Sequence, residues 1–460
     1  MKTIDELTQW VANKITKTES RTRNRTSEEQ IRFIYAVNYL IVDILKAYHT
    51  HPDKECSIQK NKNFYSQYKR YRDPNLTYRM AMAAFDGLQK LGMIVQTKSG
   101  YYDHINMEGD LTRYKPTHSL LERFEELDFH PAIHIKPNLD AETIILRNKI
   151  DGKRYIVDYE ETSFTDQARQ NLKKINSCLT RHWPDLKIRD TEFVNLQEKL
   201  LLSEEKQPID FSNKLLVRIF INNSFKEGGR FYRGWWQNVP SEYRKFITIN
   251  SKRTNEYDYS QLNPNMIYSL YNLELGSEDA YSRVLNGEHR DTVKEAFNAM
   301  LQSDTQLHSK PKSIDLSKIE ISWKELRQAV LNAHKPIKHM FFTGLGNKLQ
   351  FEDSNIAEGV MLHFSKMDAV ALPVHDSFIM HHAYGSMGEL EEAMRRAFYE
   401  RFNRDIGVKH EMVEEVQHEN DKSSKDVNLM DLEELLDDDK EFSKWEERNT
   451  FWRNINKYNQ

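Results

Sequence analysis

The most regular pattern of hydrophobic and polar positions lies near the start of the chain, in SEEQIRFIYAVNYLIVDILKAYH. Apolar residues recur there at helical spacing, and Ser27 with Gln30 three residues later forms the signature of a capping box. The segment therefore predicts a long amphipathic helix with one buried face.

A second pattern follows in LTYRMAMAAFDGLQKLGMIVQTKSGYYDH, where a helix stops at Leu91-Gly92 and two short strands surround a Lys-Ser-Gly turn. Helix, glycine stop and hairpin are the plan of a winged helix, whose helix can enter a DNA major groove. The same plan also serves purely structural and protein-binding domains. If the segment binds DNA, the contacting side chains are Tyr78, Arg79, Lys98 and Arg113.

Two further stretches place an aspartate where a strand ends. Asp258 follows the strand-like runs FITIN and NEYDY and precedes a helical segment, and Asp376 follows the apolar strand AVALPV and precedes FIM, as in a β-hairpin. Alone, each aspartate is typical of a turn or a helix cap. Brought together on one sheet, the two could hold two divalent cations that activate a 3′ hydroxyl and stabilise leaving pyrophosphate.

Composition describes a globular protein, with 38% hydrophobic and 30% charged residues among 460. No apolar run is long enough for a membrane helix and no signal-peptide pattern opens the chain, so we expect a cytoplasmic protein without a membrane partner. Cys56 and Cys178 have no zinc-site spacing and are expected to be reduced thiols.

The net charge of −4 is unevenly distributed. Residues 1–120 hold 19 basic and 13 acidic side chains, and residues 411–460 hold 7 and 15. A basic N-terminal part is consistent with nucleic-acid contact, although such an excess is also typical of a solvated face. The acidic stretch Asn428–Phe442 carries four leucines, which predicts either a helix that binds a protein partner or the chain's own basic groove, or a solvated tail.

The two aspartates lie in motifs that resemble those of family A DNA polymerases and phage-type single-subunit RNA polymerases. Asp258, Tyr259, Ser260 and Gln261 match the start of motif A, D-Y-S-Q-I-E, and VHDSF around Asp376 is similar to motif C. Serine after that aspartate is closer to the RNA polymerases than to the H-D-E of the DNA polymerases. The resemblance covers about residues 210 to 410 and is greatest to the compact polymerases of transposons and phages.

Three other blocks keep the order of that family. GGRFYRGWWQNVPSEYRKF resembles its G-R, Q-N-I-P and R-x-x-F block, RDTVK resembles the R-x-x-x-K start of motif B, and LQFEDSNIAEGVM is similar to its Q-G-T-A-A-D-I helix. The matching positions are Gly229, Arg230, Gln237, Asn238, Val239, Pro240, Arg244, Phe246, Arg290, Lys294, Gln350 and Ile356.

The resemblance implies a role for each matched residue. Asp258 and Asp376 are the expected ligands of two Mg²⁺ ions, which Mn²⁺ could replace, and they form the catalytic set with Lys294. The expected nucleotide-binding residues are Arg290, Lys294, Asn263, Tyr259 and Asn298. The expected contacts to primer and template are Arg230, Gln237, Asn238, Arg244, Gln350 and His375.

Two departures from the family concern nucleotide choice. Asn263 replaces the glutamate that excludes the ribose 2′-OH in the DNA polymerases, so the choice between dNTPs and NTPs stays open. In motif B, Asn298 and Gln302 replace an aromatic residue and a tyrosine, so nucleotide selection must be arranged differently.

The predicted fold class is α/β (α+β), with a right-hand palm, fingers and thumb core behind a mostly helical, winged-helix-like region. We expect an N-terminal domain over residues 1–125, a connecting α+β region over 126–209, a polymerase core over 210–418 and an acidic tail over 419–460. The predicted function is template-dependent extension of a primer on DNA from dNTPs or NTPs, with DNA synthesis favoured. The alternatives are an RNA polymerase or primase, a non-catalytic DNA-binding regulator, and a metal-dependent nuclease.

Overall fold

A computed structural model describes residues 2–67, 69–103, 108–317, 319–386, 388–411 and 441–457. The chain is a mixed α/β protein with several sheets. Most of the predicted acidic stretch, Asn428–Phe442, lies outside the described residues. Among the described helices, none combines the length and apolar character needed to cross a membrane.

The N-terminal region surrounds a hydrophobic core whose buried residues run from Leu7 to Phe124. Its strands β1, β5 and β2 form an antiparallel sheet in that order, and β3 pairs with β4. The elements are α1 (Ile4–Thr18), α2 (Ser27–Thr50), β1 (Cys56–Ile58), α3 (Lys62–Ser66), α4 (Tyr78–Lys90), β2 (Ile94–Lys98), β3 (Tyr101–Asp103), β4 (Glu108–Asp110), β5 (Thr112–Pro116), α5 (His118–Glu125) and α6 (Pro131–His134), with a 3₁₀ turn at Lys69–Tyr71.

Two details of this region differ from the sequence prediction. The capping box of α2 is formed by Thr26 and Glu29, one position earlier than predicted, because Thr26 is the residue with extended backbone before the first helical turn. The strand that returns to β2 is β5, with Ile94 opposite Pro116, because the β3–β4 pair is inserted after the Lys-Ser-Gly turn. Helix α4 followed by this hairpin keeps the order of a winged helix.

The three predicted wing and helix cations are held by carboxylates. Arg79 pairs with Glu29 at 2.7 Å, Lys98 pairs with Asp110 at 2.5 Å, and Arg113 lies 3.6 Å from both Glu55 and Asp110. Because these pairs are exposed, each is weak.

The rest of the chain packs around one large core, which includes buried residues from Ala132 to Ile406. Strands β6 and β9 pair in parallel within a sheet of order β10-β9-β6-β7, so the predicted boundary between residues 209 and 210 does not separate two cores. The elements before that boundary are β6 (Ile144–Ile150), β7 (Lys153–Val157), α7 (Ser163–Arg181), β8 (Pro184–Leu186) and α8 (Asp190–Leu201).

The central sheet has the order β13-β14-β12-β11-β8, and β15 pairs with β12 beside it. The strands after residue 210 are β9 (Val217–Ile221), β10 (Ser224–Tyr232), β11 (Ile247–Ile249), β12 (Lys252–Tyr259), β13 (Ala371–Val374), β14 (Ser377–His381) and β15 (Val408–Glu411). The helices are α9 (Ser241–Arg244), α10 (Leu262–Leu270), α11 (Arg290–Gln302), α12 (Trp323–Ala333), α13 (Leu345–Ser365), α14 (His382–Ser386), α15 (Glu389–Phe402) and α16 (Ser443–Lys457), with 3₁₀ turns at Trp235–Asn238, Leu285–Gly287 and Lys335–Met340.

Helix α13 lies directly against β10 because of one glycine. Gly229 has φ +80°, and a Cβ there would lie 2.8 Å from the Phe220 ring and 2.9 Å from Ser354 Oγ. Beneath it, the fully buried Arg218 donates to the Gly229 carbonyl at 2.9 Å and to Ser354 Oγ at 2.9 Å, and it pairs with Glu358 at 3.1 Å. A buried guanidinium with all of these partners fixes the position of α13 on the sheet.

The last helix corrects part of the predicted acidic tail. Helix α16 packs on the core through Arg448, which lies 3.0 Å from Asp185 of β8 and 4.3 Å from the centre of the Phe211 ring. Both charged side chains are buried, and Asn449 accepts a hydrogen bond from Ser251 at 2.5 Å. Residues 443–457 are therefore part of the folded structure, because their apolar and paired side chains have complementary partners.

We expect Gly229→Ala to lower the free energy of unfolding by about 3 kcal/mol, about 1 from the left-handed backbone and about 2 from overpacking against α13. Gly152→Ala is the matched control, since Gly152 has φ +79° with nothing within 4 Å of a Cβ, and it should cost about 1 kcal/mol. Urea unfolding of both variants measures the difference. Equal losses would show that the close approach of α13 carries no energetic weight.

Candidate active site

The two predicted metal-binding aspartates meet on the central sheet. In the antiparallel pair β12–β14, Asp258 lies opposite Ser377, and Asp376 is the residue immediately before Ser377. Burial raises the pKa of Tyr281, and the charges of Asp376 and Asp258 raise it further. Both carboxylates therefore lie within electrostatic range of one buried phenol.

Asp376 is presented by a tight turn. Val374 pairs with Ser377 across β13 and β14, which leaves His375 and Asp376 as the two turn residues, and His375 has φ +57°. Ser377 Oγ donates its hydrogen to Glu256 Oε1 at 2.6 Å, and the Val374 carbonyl oxygen lies 2.9 Å away. The turn is thereby fixed to β12, the strand that carries Asp258.

Arg244, predicted to contact nucleic acid, is held inside the protein. It pairs with Glu256 at 3.0 Å, and both side chains are largely buried. Because Glu256 also accepts the Ser377 hydroxyl, Arg244 supports the strand pair at the site. Glu256 was missed by sequence reasoning, although its position two residues before Asp258 places it on the same face of β12.

Tyr259, predicted to bind the nucleotide, lies in the core in this structure. Side chains alternate along a strand, so Tyr259 points to the face opposite Asp258. It is buried, its hydroxyl donates to the Met394 carbonyl of α15 at 2.7 Å, and its ring lies near Phe398. Burial raises its pKa well above the ordinary value.

Helix α11 carries the predicted triphosphate-binding pair. Arg290 is anchored to Asp279 at 2.8 Å and lies 5.3 Å from the centre of the Tyr281 ring. Lys294 is exposed one turn later on α11 and forms no ion pair with any residue in the described ranges. Asp279 also accepts the backbone N–H groups of Tyr281 and Ser282 at 3.0 Å, so the anchor of Arg290 is itself fixed.

The two residues at which the chain departs from the family are hydrogen-bonded to each other. Asn263, in the first turn of α10, donates from Nδ2 to Asn298 Oδ1 of α11 at 2.9 Å. Both side chains are partly exposed. This bond ties the helix that follows Asp258 to the helix that carries Lys294.

Arg230 pairs with an aspartate that sequence reasoning missed. Its Nε donates to Asp353 Oδ2 of α13 at 2.6 Å. Burial and the charge of Asp376 raise the pKa of Asp353 to about 6, and Arg230 lowers it. The signal in the sequence was Asp353 itself, three residues after Gln350 in the helix that resembles the Q-G-T-A-A-D-I segment.

The other predicted nucleic-acid contacts border a cavity of about 820 Å³ beside the His375–Asp376 turn. Arg230, Gln237, Asn238 and His375 line it. Gln237 uses both amide hydrogens on the carbonyls of Phe231 and Pro373, at 3.0 and 3.1 Å, which leaves its Oε1 for a ligand. Gln350 is half-buried on α13 and lies outside this lining.

No protein-family model matches the chain, and no curated protein does. Among solved structures it is similar to the POL domain of Pol1 from M. smegmatis, a structure in complex with DNA primer-template and dNTP. The match has 14% identity and a TM-score of 0.30, and it covers 48% of this chain and 50% of that chain. The chain thus spans about half the length of that polymerase domain, and the likeness is weak.

We expect wild-type protein to lose stability relative to Asp353→Asn as the pH rises. A carboxyl whose folded-state pKa is about 6, above its usual value near 4, contributes stability at low pH that is lost as the pH rises through 6. Between pH 5 and 7.5 the difference should change by about 1.5 kcal/mol. Urea unfolding in metal-free buffer at both pH values measures it, and parallel pH curves would contradict the expectation.

Proposed function

We propose that this chain is a template-dependent nucleotidyltransferase that extends a 3′ hydroxyl on a DNA template, with DNA synthesis favoured over RNA synthesis. The observation that carries the proposal is that Asp258 on β12 lies opposite Ser377, the residue after Asp376, and that the cation-bearing helix α11 is tied to the helix after Asp258. A pair of carboxylates near a helix that carries Arg290 and Lys294 is suited to transfer of a phosphoryl group.

The two aspartates are suited to divalent metal. Mg²⁺ prefers carboxylate oxygens, and Asp258 supplies one from β12 while Asp376 supplies one from the turn just before β14, the strand paired with β12. Bound there, two such ions would activate the 3′ hydroxyl and stabilise the pyrophosphate that leaves. The chain's own contribution is to hold both carboxylates in place through the Ser377–Glu256–Arg244 contacts.

Helix α11 supplies the binding site for the nucleotide's phosphates in this proposal. Lys294 is exposed and can bind a phosphate directly. Arg290 is paired with Asp279 and would bind a phosphate only by leaving that carboxylate. Asn263 and Asn298 lie between this helix and α10, where they can contact the sugar. In this proposal, the choice between dNTPs and NTPs depends on whether the Asn263–Asn298 pair hydrogen-bonds to the ribose 2′-OH or excludes it.

The regulator alternative is less well supported than the sequence suggested. A DNA-binding winged helix needs free cations, and the predicted ones on α4 and the hairpin are paired with carboxylates. A phosphate backbone would have to displace these carboxylates to reach the predicted cations.

Primer extension tests the proposal. Purified protein, Mg²⁺ and a labelled primer on a DNA template are incubated with dNTPs or with NTPs. We expect extension that falls at least about 10³-fold in Asp258→Asn and in Asp376→Asn, because each isosteric change removes a metal-binding charge. Asp140→Asn, which alters an exposed carboxylate paired with Lys173, is the control. Extension that survives in both site variants would rule the proposal out.

Lys294→Gln should raise KM for the nucleotide by about 10- to 100-fold, the value of one charge-assisted hydrogen bond to phosphate. Lys324→Gln, an exposed cation on the neighbouring α12, should leave KM unchanged. Steady-state extension kinetics measure both. A fall in kcat with unchanged KM would show that Lys294 does not bind the ground-state nucleotide.

A further inference from the structure

The cavity beside the His375–Asp376 turn is strongly cationic. Its lining includes four basic side chains, Lys54, Lys206, Arg230 and Arg233, and two carboxylates, Glu205 and Asp353. We call it the cationic cavity. Because Asp353 is buried against Arg230, that pair cancels, and three cations face the single remaining acid.

Lys54, Lys206 and Arg233 form no ion pair with another side chain in the part of the chain that the structure describes. Carboxylates lie farther away and compensate two of them in part, Asp210 and Asp43 near Lys54 and Glu242 and Glu205 near Lys206. Lys206 Nζ has a 3.5 Å contact with the Val239 carbonyl. Lys54 and Lys206 are half-buried and burial lowers the pKa of both, whereas Arg233 is exposed with Arg147 as a nearby like charge.

Lining one cavity with several cations that have no carboxylate at ion-pair distance is unfavourable in the free protein. An anionic ligand removes the cost, and a cleft with such a field attracts one. The cations come from separate parts of the chain, Lys54 before β1, Lys206 after α8 and Arg233 at the end of β10, so they can contact successive charges along one ligand. A nucleic-acid backbone has this repeating charge.

The cavity also adjoins the reacting end of the proposed site. His375 lines it, and Asp376 is the next residue. Desolvation lowers the pKa of His375, and the charges of Arg230, Arg244 and Lys206 lower it further, which places these cations around the turn.

From these observations, and resting on the proposed function, we infer that the cationic cavity binds the phosphate backbone of the strand that carries the reacting 3′ hydroxyl. The strand's end reaches Asp258 and Asp376, and its preceding phosphates lie on Lys206, Arg233 and Lys54. Lys54 belongs to the N-terminal region, so that region contributes one side of the groove that holds this strand. The N-terminal region therefore contacts the DNA through Lys54, and DNA binding does not require the ion-paired wing.

Binding of a labelled primer–template DNA by the full chain tests the inference, measured by fluorescence anisotropy in EDTA so that catalysis does not intervene. Lys54→Gln, Lys206→Gln and Arg233→Gln should each weaken binding about 3- to 10-fold and reduce the slope of log K against log salt by about 1. Lys98→Gln, on the wing, and Lys17→Gln, on α1, should change neither. Loss of affinity in Lys98→Gln with wild-type binding in the cavity variants would overturn the inference.

Neutral methylphosphonate linkages identify the strand. Placed singly at the last four linkages of the primer, they should weaken wild-type binding at one or two positions, and the matching lysine variant should show no additional loss there. The same effect confined to template linkages would refute the assignment to the 3′-hydroxyl strand. Binding is measured without turnover. If the variants lose affinity as expected but the wild-type protein extends no primer, the proposed function alone is rejected. Extension with wild-type binding in all cavity variants would reject this inference alone.

Discussion

The packing of α13 on β10 is the constraint on which the site depends. Gly229 allows the approach, and the buried Arg218 joins both elements through the Gly229 carbonyl, Ser354 and Glu358. Arg230, the residue after Gly229, pairs with Asp353 of α13 at the edge of the cationic cavity. A buried cation with so many partners is costly to disturb, so the position of the cavity wall relative to the sheet is fixed by the core.

Strand alternation divides residues 256–259 between two faces of β12. Glu256 and Asp258 share the face toward the site. Tyr257 and Tyr259 share the other face, where Tyr259 bonds to α15 and Tyr257 stacks on His410 of the neighbouring strand β15, with the ring centres 4.4 Å apart. The same short stretch thus presents a carboxylate and secures the strand that carries it.

The sequence was sufficient to predict that Asp258 and Asp376 lie where strands end and meet on one sheet, because both follow runs with strand character. It could not predict that Arg244 would pair with Glu256 or Arg290 with Asp279, since ion-pair partners depend on tertiary distances. Asp353, Lys54 and Lys206 were missed for the same reason, because they meet only through folding. The arrangement as palm, fingers and thumb stays a prediction.

The docking of α16 affects how the acidic stretch can be studied. A truncation after β15 would delete the acidic residues together with Arg448, and Asp185 would remain as a buried carboxylate without its guanidinium. Loss of one member of a buried pair typically costs about 3 to 5 kcal/mol, enough to obscure any effect of the acidic residues themselves. An internal deletion that spares residues 443–457 separates the two contributions, since the terminal helix then keeps its place on β8.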